Sequence, residues 1–391
     1  MVAISVSVEM KPGILFVEQH VFLGGGQRVI ASIATHPIIT GHWEVCFALP
    51  GDGALNELLA KENIPIFQFP DTSMKNGKKS LLDLLLYVKS FLHLVAWFKQ
   101  VIKETNPRYI YTSSPRYLLQ ILCAVHGRST QIIFHLHAFY FHRLYEWFLK
   151  FVFSHPKVKW VICPSFTAEL WVRSLLGPLP KIVHVSNWIC TEVPIIKAYA
   201  AQFTPVRLET VSPNSFSFAV IGRIVPLKGQ DIFLEVAKRF IDLGINAEFY
   251  VIGGSAFTDQ PGYETDLFER YKLESRIHFV GHIEAIPEIY QQVKCVVVPS
   301  RNEIFGLTAI EAMYYGVPVI VSNIGEMPRI VDFGRCGIVF EKDSVDALFD
   351  AMSRIFYDHQ YRRTLIRNAG IRVRENYLWE TGGARIQALL Q

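Results

Sequence analysis

The chain has 391 residues, of which 50% are hydrophobic and 19% charged, with a formal net charge of +4. A single core stops growing at roughly 250 to 300 residues, so this length asks for two domains, and the apolar content excludes global disorder. No lysine or arginine block concentrates the positive charge, which argues against a nucleic-acid partner.

The opening residues MVAISVSVEMKPG lack the basic segment and apolar run of a signal peptide, so a cytoplasmic location is the default expectation. The strand GILFVEQH is expected near Ile14–Gln19, followed by the glycine triplet Gly24–Gly26 and a helix from QRVIASIATHPI. Further strands are expected at Trp43–Leu49, Arg108–Ser113, Gln131–His137 and Lys159–Ser165, with KIVHVSN, ending at Asn187, closing the series. The stretch Leu81 to Phe98 is the nearest to a membrane span, but Asp83, Lys89 and His93 interrupt it, so it reads first as a core helix. The six cysteines include no C-x-x-C pair and several sit in apolar runs, which makes them buried thiols rather than disulfides or metal ligands.

From Thr191 through Pro213 no period is sustained. A second series of strands then follows at Ser217–Ile224, Ala247–Gly254, Arg276–Gly281, Cys295–Ser300 and Val317–Asn323. Alternating strands and helices imply parallel βαβ units, hence an α/β fold with a first Rossmann-like domain over 1–195, a linker over 196–213, a second over 214–375 and a terminal helix over 376–391. Ligands of open parallel sheets bind beyond the carboxyl ends of the strands, and a cleft between two such domains is the expected site.

Four features carry candidate chemistry. Gly25 and Gly26, between strand and helix, let phosphate oxygens approach backbone amides, although a structural turn explains them equally well. In IGRIVPLKGQD, Arg223 offers a directional fork and Lys228 a compact charge at a strand end, suited to a diphosphate, with a solvated surface loop as the bland alternative. In PSRNEIFGLTAIEAM, Glu303 follows a strand and Glu311 lies about two turns inside a helix that FGLTAI begins. A carboxylate buried there needs strong donors such as sugar or ribose hydroxyls, and the amides of Gly306, Leu307 and Thr308 are free to take ligand oxygens. Finally, FHLHAF puts His135 and His137 on one face of a strand; no third metal ligand appears at suitable spacing, and His137, nearer the strand's carboxyl end, is the better functional candidate.

The order of these motifs over nearly the whole chain resembles the retaining nucleotide-sugar glycosyltransferases of family 4, which have the GT-B fold. The resemblance implies that Arg223 and Lys228 contact the donor diphosphate and that Glu303, with the adjoining Phe305, Gly306, Leu307 and Thr308, contacts the donor sugar and phosphate. It further implies that Glu311 binds the ribose, that Gly25 and Gly26 approach the diphosphate, and that His137 faces the reacting sugar or acceptor. Trp379 in NYLWETGGARIQALLQ resembles a packing anchor. This chain departs from the pattern in having Ile304 where a glycine is common, Arg329 where a glutamate is frequent, and no histidine in YTSSP.

The expected reaction is hexosyl transfer from a nucleoside diphosphate sugar to an acceptor hydroxyl with retention, serving glycan, polysaccharide or glycolipid synthesis. No further cofactor or metal is required by these motifs. A phosphorylase or epimerase of similar fold and a non-catalytic sugar-nucleotide binder are the alternatives. The acceptor is a glycan, a lipid-linked molecule or a small molecule. The aromatic segments at Leu81–Phe98 and Tyr140–Phe153 read chiefly as first-domain helices, with peripheral membrane contact as the other reading.

Overall fold

The computed structural model describes residues 11–69, 81–140, 142–191, 193–203, 206–208, 214–254, 262–284 and 286–391, the side chains of 81–87 excepted. Most of the N-terminal segment used for the localisation expectation, and part of the expected linker, therefore lie outside the described residues.

In chain order the first half runs β1 (Gly13–Val17), α1 (Gly25–Ala34), α2 (Pro37–His42), β2 (Glu44–Leu49), α3 (Ala54–Lys61), β3 (Ile66–Gln68), α4 (Leu81–Thr105), β4 (Pro107–Thr112), α5 (Leu118–Ala124), β5 (Gln131–His135), α6 (Arg143–Ser154), β6 (Val158–Cys163), α7 (Phe166–Leu176) and β7 (Ile182–His184). The second half runs α8 (Pro194–Ala200), β8 (Phe216–Ile221), α9 (Gln230–Asp242), β9 (Ala247–Ile252), α10 (Gly262–Tyr271), β10 (Ile277–Gly281), α11 (Ile286–Tyr290), β11 (Cys295–Val298), α12 (Leu307–Tyr314), β12 (Val319–Ser322), α13 (Met327–Ile330), β13 (Ile338–Phe340), α14 (Val345–Tyr357), α15 (His359–Asn376) and α16 (Trp379–Leu390).

The strands form a seven-stranded sheet in the order β3-β2-β1-β4-β5-β6-β7 and a six-stranded sheet in the order β10-β9-β8-β11-β12-β13. Every pairing is parallel. Such sheets are covered on both faces, so their strands are continuous apolar runs. β11 is CVVV, all buried, and its residues alternate between two cores. Val296 and Val298 join the cluster that includes Ile310 and Met313, whereas Cys295 and Val297 join the one that includes Phe233 and Phe240. Each half is thus a Rossmann-like layer stack. In each the strand order reverses once, between β1 and β4 and between β8 and β11. The connections after those two strands diverge to opposite faces, which opens a crevice at their carboxyl ends.

Three features differ from expectation. β3 and β13 add strands that the sequence reading left out, each three residues long and at a sheet edge, where short strands give too little pattern to read. α8 forms at Pro194–Ala200, within a stretch that shows no sustained period, with Pro194 at its first turn and Ile195, Ile196 and Tyr199 buried. The chain also divides elsewhere than at 195. One unit comprises 1–163, 169–185 and 386–391, and the other 164–168 and 186–385. The physical reason for the early crossing is Trp188, fully buried in the second unit, whose ring meets Trp379 edge-on at 4.9 Å and 87°. A Cβ on Gly382 would come within 2.4 Å of Ser186 O, so 186–188 and the start of α16 close on one another.

Candidate functional site

In the second unit the loops after β8 and β11, the pair at the strand-order reversal, are built to touch. Gly229, at φ +70°, has its α-carbon so near Pro299 that a Cβ would lie 2.1 Å from the Pro299 carbonyl oxygen. Only glycine combines that backbone angle with that approach. Arg301 then locks the two loops together. Its backbone N–H donates to Leu227 O (2.8 Å), and its guanidinium donates to Pro226 O (2.5 Å), to both oxygens of Asp231 (2.8 and 2.7 Å) and to Asp343 (2.6 Å). Partial burial draws the Asp231 carboxyl upward, but the Arg301 fork and the Tyr263 hydroxyl outweigh it and hold the group below its ordinary value. Bonding to Asp231 likewise raises the Arg301 guanidinium.

This bracing fixes the short turn Pro226–Lys228 against the residues after β11. Lys228 Nζ lies 2.5 Å from Glu303 Oε2, with Ser300 Oγ 3.4 Å from the same oxygen. The two side chains remain 27% and 15% exposed, so the pair is open to a ligand on one side. Arg223 sits on the same loop with its side chain exposed, while its carbonyl oxygen accepts from Gln230 Nε2 at 2.7 Å.

α12 starts at Leu307 with Gly306 as its N-cap at φ +120°, and no side chain caps it. Glu303 therefore does not cap this helix; its carboxylate serves Lys228. Glu311 is the fifth residue of α12, a little over one turn in rather than two, because the helix begins later than the motif suggested. It is buried and accepts from Tyr290 Oη at 3.0 Å. Phe305 faces away from solvent, packing in the core with Tyr377 at 5.9 Å. Arg329 lies over the Phe166 ring at 4.3 Å.

The first unit carries its own constellation at the β1–β4 reversal. Gly25 opens α1 and is exposed, with Gly24 as an N-cap that offers no side chain. Gly26 lies against His137, so that a Cβ would meet the ring at 3.1 Å. His135 and His137 have ring centroids 4.3 Å apart, and Tyr111 Oη is 2.9 Å from His135 Nδ1. Burial lowers both imidazoles, His137 to about 4, and the Nε2 atom of each is buried without a hydrogen-bond partner. Among the described residues no group of three or more His, Cys, Asp or Glu gathers as a metal site would require.

Two residues escaped the sequence reading. Glu18, fully buried at the end of β1, accepts from Ser113 Oγ (2.7 Å), Ser113 N (3.3 Å) and Gln27 Nε2 (3.3 Å), and burial pushes its carboxyl up to about 7. The signal for it was a lone acid closing an apolar strand. Arg301 gave no signal, because its three partner segments are brought to it only by folding. The structure joins Lys228 to Glu303 and Gly26 to His137, and Arg223 shares the loop after β8 with Lys228, its side chain exposed.

Residues 209–372 match the profile of the family described as "Glycosyl transferases group 1". An Escherichia coli protein named UDP-Gal:alpha-D-GlcNAc-diphosphoundecaprenol alpha-1,3-galactosyltransferase is 24% identical over 354 residues, covering 84% of this chain and 88% of its own length. An uncharacterised glycosyltransferase of Methanocaldococcus jannaschii is 27% identical over 162 residues, covering 41% of this chain and 40% of the relative. The match thus spans less than half of that archaeal protein. The crystal structure of Anabaena HepE in complex with UDP-glucose superposes with a TM-score of 0.77 at 21% identity, covering 97% of this chain and 99% of that one, a likeness of fold.

Proposed function

We propose that the chain, whose residues 209–372 match the group 1 glycosyltransferase profile and whose fold is that of the GT-B enzymes, moves a hexosyl unit from a nucleoside diphosphate sugar to an acceptor hydroxyl with retention. The observation that carries this reading is the Lys228–Glu303 pair, 2.5 Å apart beside the β8–β11 reversal. As the glycosidic bond breaks, negative charge grows on the departing diphosphate while the sugar becomes oxocarbenium-like. Lys228 and the exposed Arg223 are the cations that would offset it, and the uncapped start of α12 adds amide donors from Leu307 and Thr308. When phosphate draws Lys228 away, Glu303 is released to accept from sugar hydroxyls, so one ion pair serves two ligand groups.

Glu311 is assigned to the ribose and Phe305 to the wall that keeps the α12 start in place. Gly25, Gly26 and His137 are assigned by the resemblance to diphosphate approach and to the reacting sugar or acceptor. Burial keeps His137 neutral at physiological pH, so it would act as a hydrogen-bonding imidazole rather than a cation. The E. coli relative is named for a lipid-diphosphate acceptor, which makes a lipid-linked sugar the first acceptor to offer.

A mass-resolved screen of the purified chain with a panel of nucleotide sugars tests the reading through released nucleoside diphosphate. Lys228→Ala is expected to lower turnover on the active donor by about 100-fold or more, the usual scale for losing one electrostatic stabiliser. Its melting temperature should stay close to the parent's, because the pair is partly solvated. No nucleotide release from any donor, or full turnover in the variant, would sink the proposal.

A further inference from the structure

α6 is apolar on two faces. Leu149, Val152 and Phe153 are buried, as packing on the sheet requires, yet Leu144, Trp147 and Phe151 are 73%, 70% and 54% exposed. Spacings of three and four place these three residues on one stripe, and the Trp147 and Phe151 rings stack 6.3 Å apart at 13°. Arg143 and Lys150 are exposed beside the stripe and have no ion-pair partner among the described residues. The one acid of the helix, Glu146, is half-buried. A merely solvated helix would not leave its outer face this apolar.

The same layer extends the pattern. The β3→β4 and β5→β6 connections step along the sheet in one direction, so right-handed crossover puts α4 and α6 on one side of it. On α4, Val88 and Leu92 are 48% and 61% exposed, with Lys89 and His93 exposed beside them.

We propose that α6 is a docking surface for an anionic lipid bilayer, with Leu144, Trp147 and Phe151 entering the headgroup–acyl boundary and Arg143 and Lys150 meeting lipid phosphates. Charge decides between occupants. A second copy packed through this stripe about a two-fold axis would bring the same unpaired cations together, whereas anionic headgroups complement them. The inference goes beyond the transfer reaction and stands without it, since binding and turnover are measured separately.

The test is co-sedimentation of the full chain with vesicles of phosphatidylcholine alone or mixed with phosphatidylglycerol. Binding to the mixed vesicles is expected, with weak binding to phosphatidylcholine. Trp147→Ser combined with Phe151→Ser should cut affinity at least tenfold, as removal of two inserted aromatic side chains implies. Arg143→Glu combined with Lys150→Glu should abolish the preference for phosphatidylglycerol. Brominated lipid should quench part of the tryptophan fluorescence, and Trp147→Phe should remove that part without needing any destabilising change. Equal sedimentation of parent and variants, unchanged quenching in Trp147→Phe, or a dimer in solution that the same substitutions dissociate would overturn the proposal.

Discussion

Glu18 is a fully buried carboxyl whose ionisation is opposed by its surroundings. Its carboxyl, ordinarily near 4.5, is pushed up to about 7 by desolvation, which the donors Ser113 and Gln27 offset only in part. Between those two values the native protein holds a proton that the unfolded chain has released, so stability is complete below the lower value and is lost as pH rises through the higher one. The loss is about 3 kcal/mol, because each tenfold difference in proton affinity between the native and unfolded states is worth about 1.4 kcal/mol. His135 and His137 act with the opposite sign, because their lowered values cost stability as pH falls below about 6.5. Glu18→Gln isolates the carboxyl: the amide cannot ionise, still accepts from Ser113, and can face a reoriented Gln27. Its urea midpoint relative to the parent should climb from pH 5 to about pH 7 and level off above that. Parallel profiles for the two proteins would show that the buried carboxyl titrates alike in both states.

At the scale of elements, the candidate site depends on how closely the turn before α9 approaches the end of β11. Gly229 and Gly244 flank the same helix with nearly equal backbone angles, φ +70° and +68°, but Gly244 has open space where its Cβ would be. Gly244→Ala should therefore cost only the left-handed penalty of roughly 1–2 kcal/mol. Gly229→Ala must also push back Pro299, so its urea midpoint should fall further and Lys228 should lose its place beside Glu303. Donor turnover is expected to drop in Gly229→Ala alone; equal midpoints and equal turnover in the two variants would remove the close approach as the cause. The same pair explains what could be read beforehand. Lys228, Glu303 and the helix at Leu307 are local strings whose glycines and charges announce a turn and a strand end, so their placement was legible. The bracing by Arg301 was not, because Asp231 and Asp343 are 70 and 42 residues away from it in the chain. Edge strands β3 and β13 were missed for want of length, and α8 for want of period.

For the molecule as a whole, two alternating series of strands were enough to announce two parallel sheets, but the way the chain is shared between the units needed the packing. The last helix is the clearest case. α16 begins with Trp379 against Trp188 in the second unit, whereas residues 386–391 belong to the first. There Ile386 and Leu390 are fully buried, Trp160 Nε1 donates to Leu389 O at 3.1 Å, and Arg108 donates to Gln391 O at 3.3 Å. Deleting 386–391 removes two buried aliphatic side chains, worth about 3–6 kcal/mol together, and that loss should fall on the first unit. A whole-chain midpoint would not say which unit bears the loss, because two units need not unfold in one step, so the measure must resolve them. Hydrogen exchange read by peptide is the right one: amides of β4, β5 and β6 should exchange faster in the truncated chain while those of β8, β11 and β12 keep their protection. Equal acceleration in both sheets would mean that the two units share one cooperative unfolding step, and no acceleration in the first would mean that the terminal turns add nothing to its core.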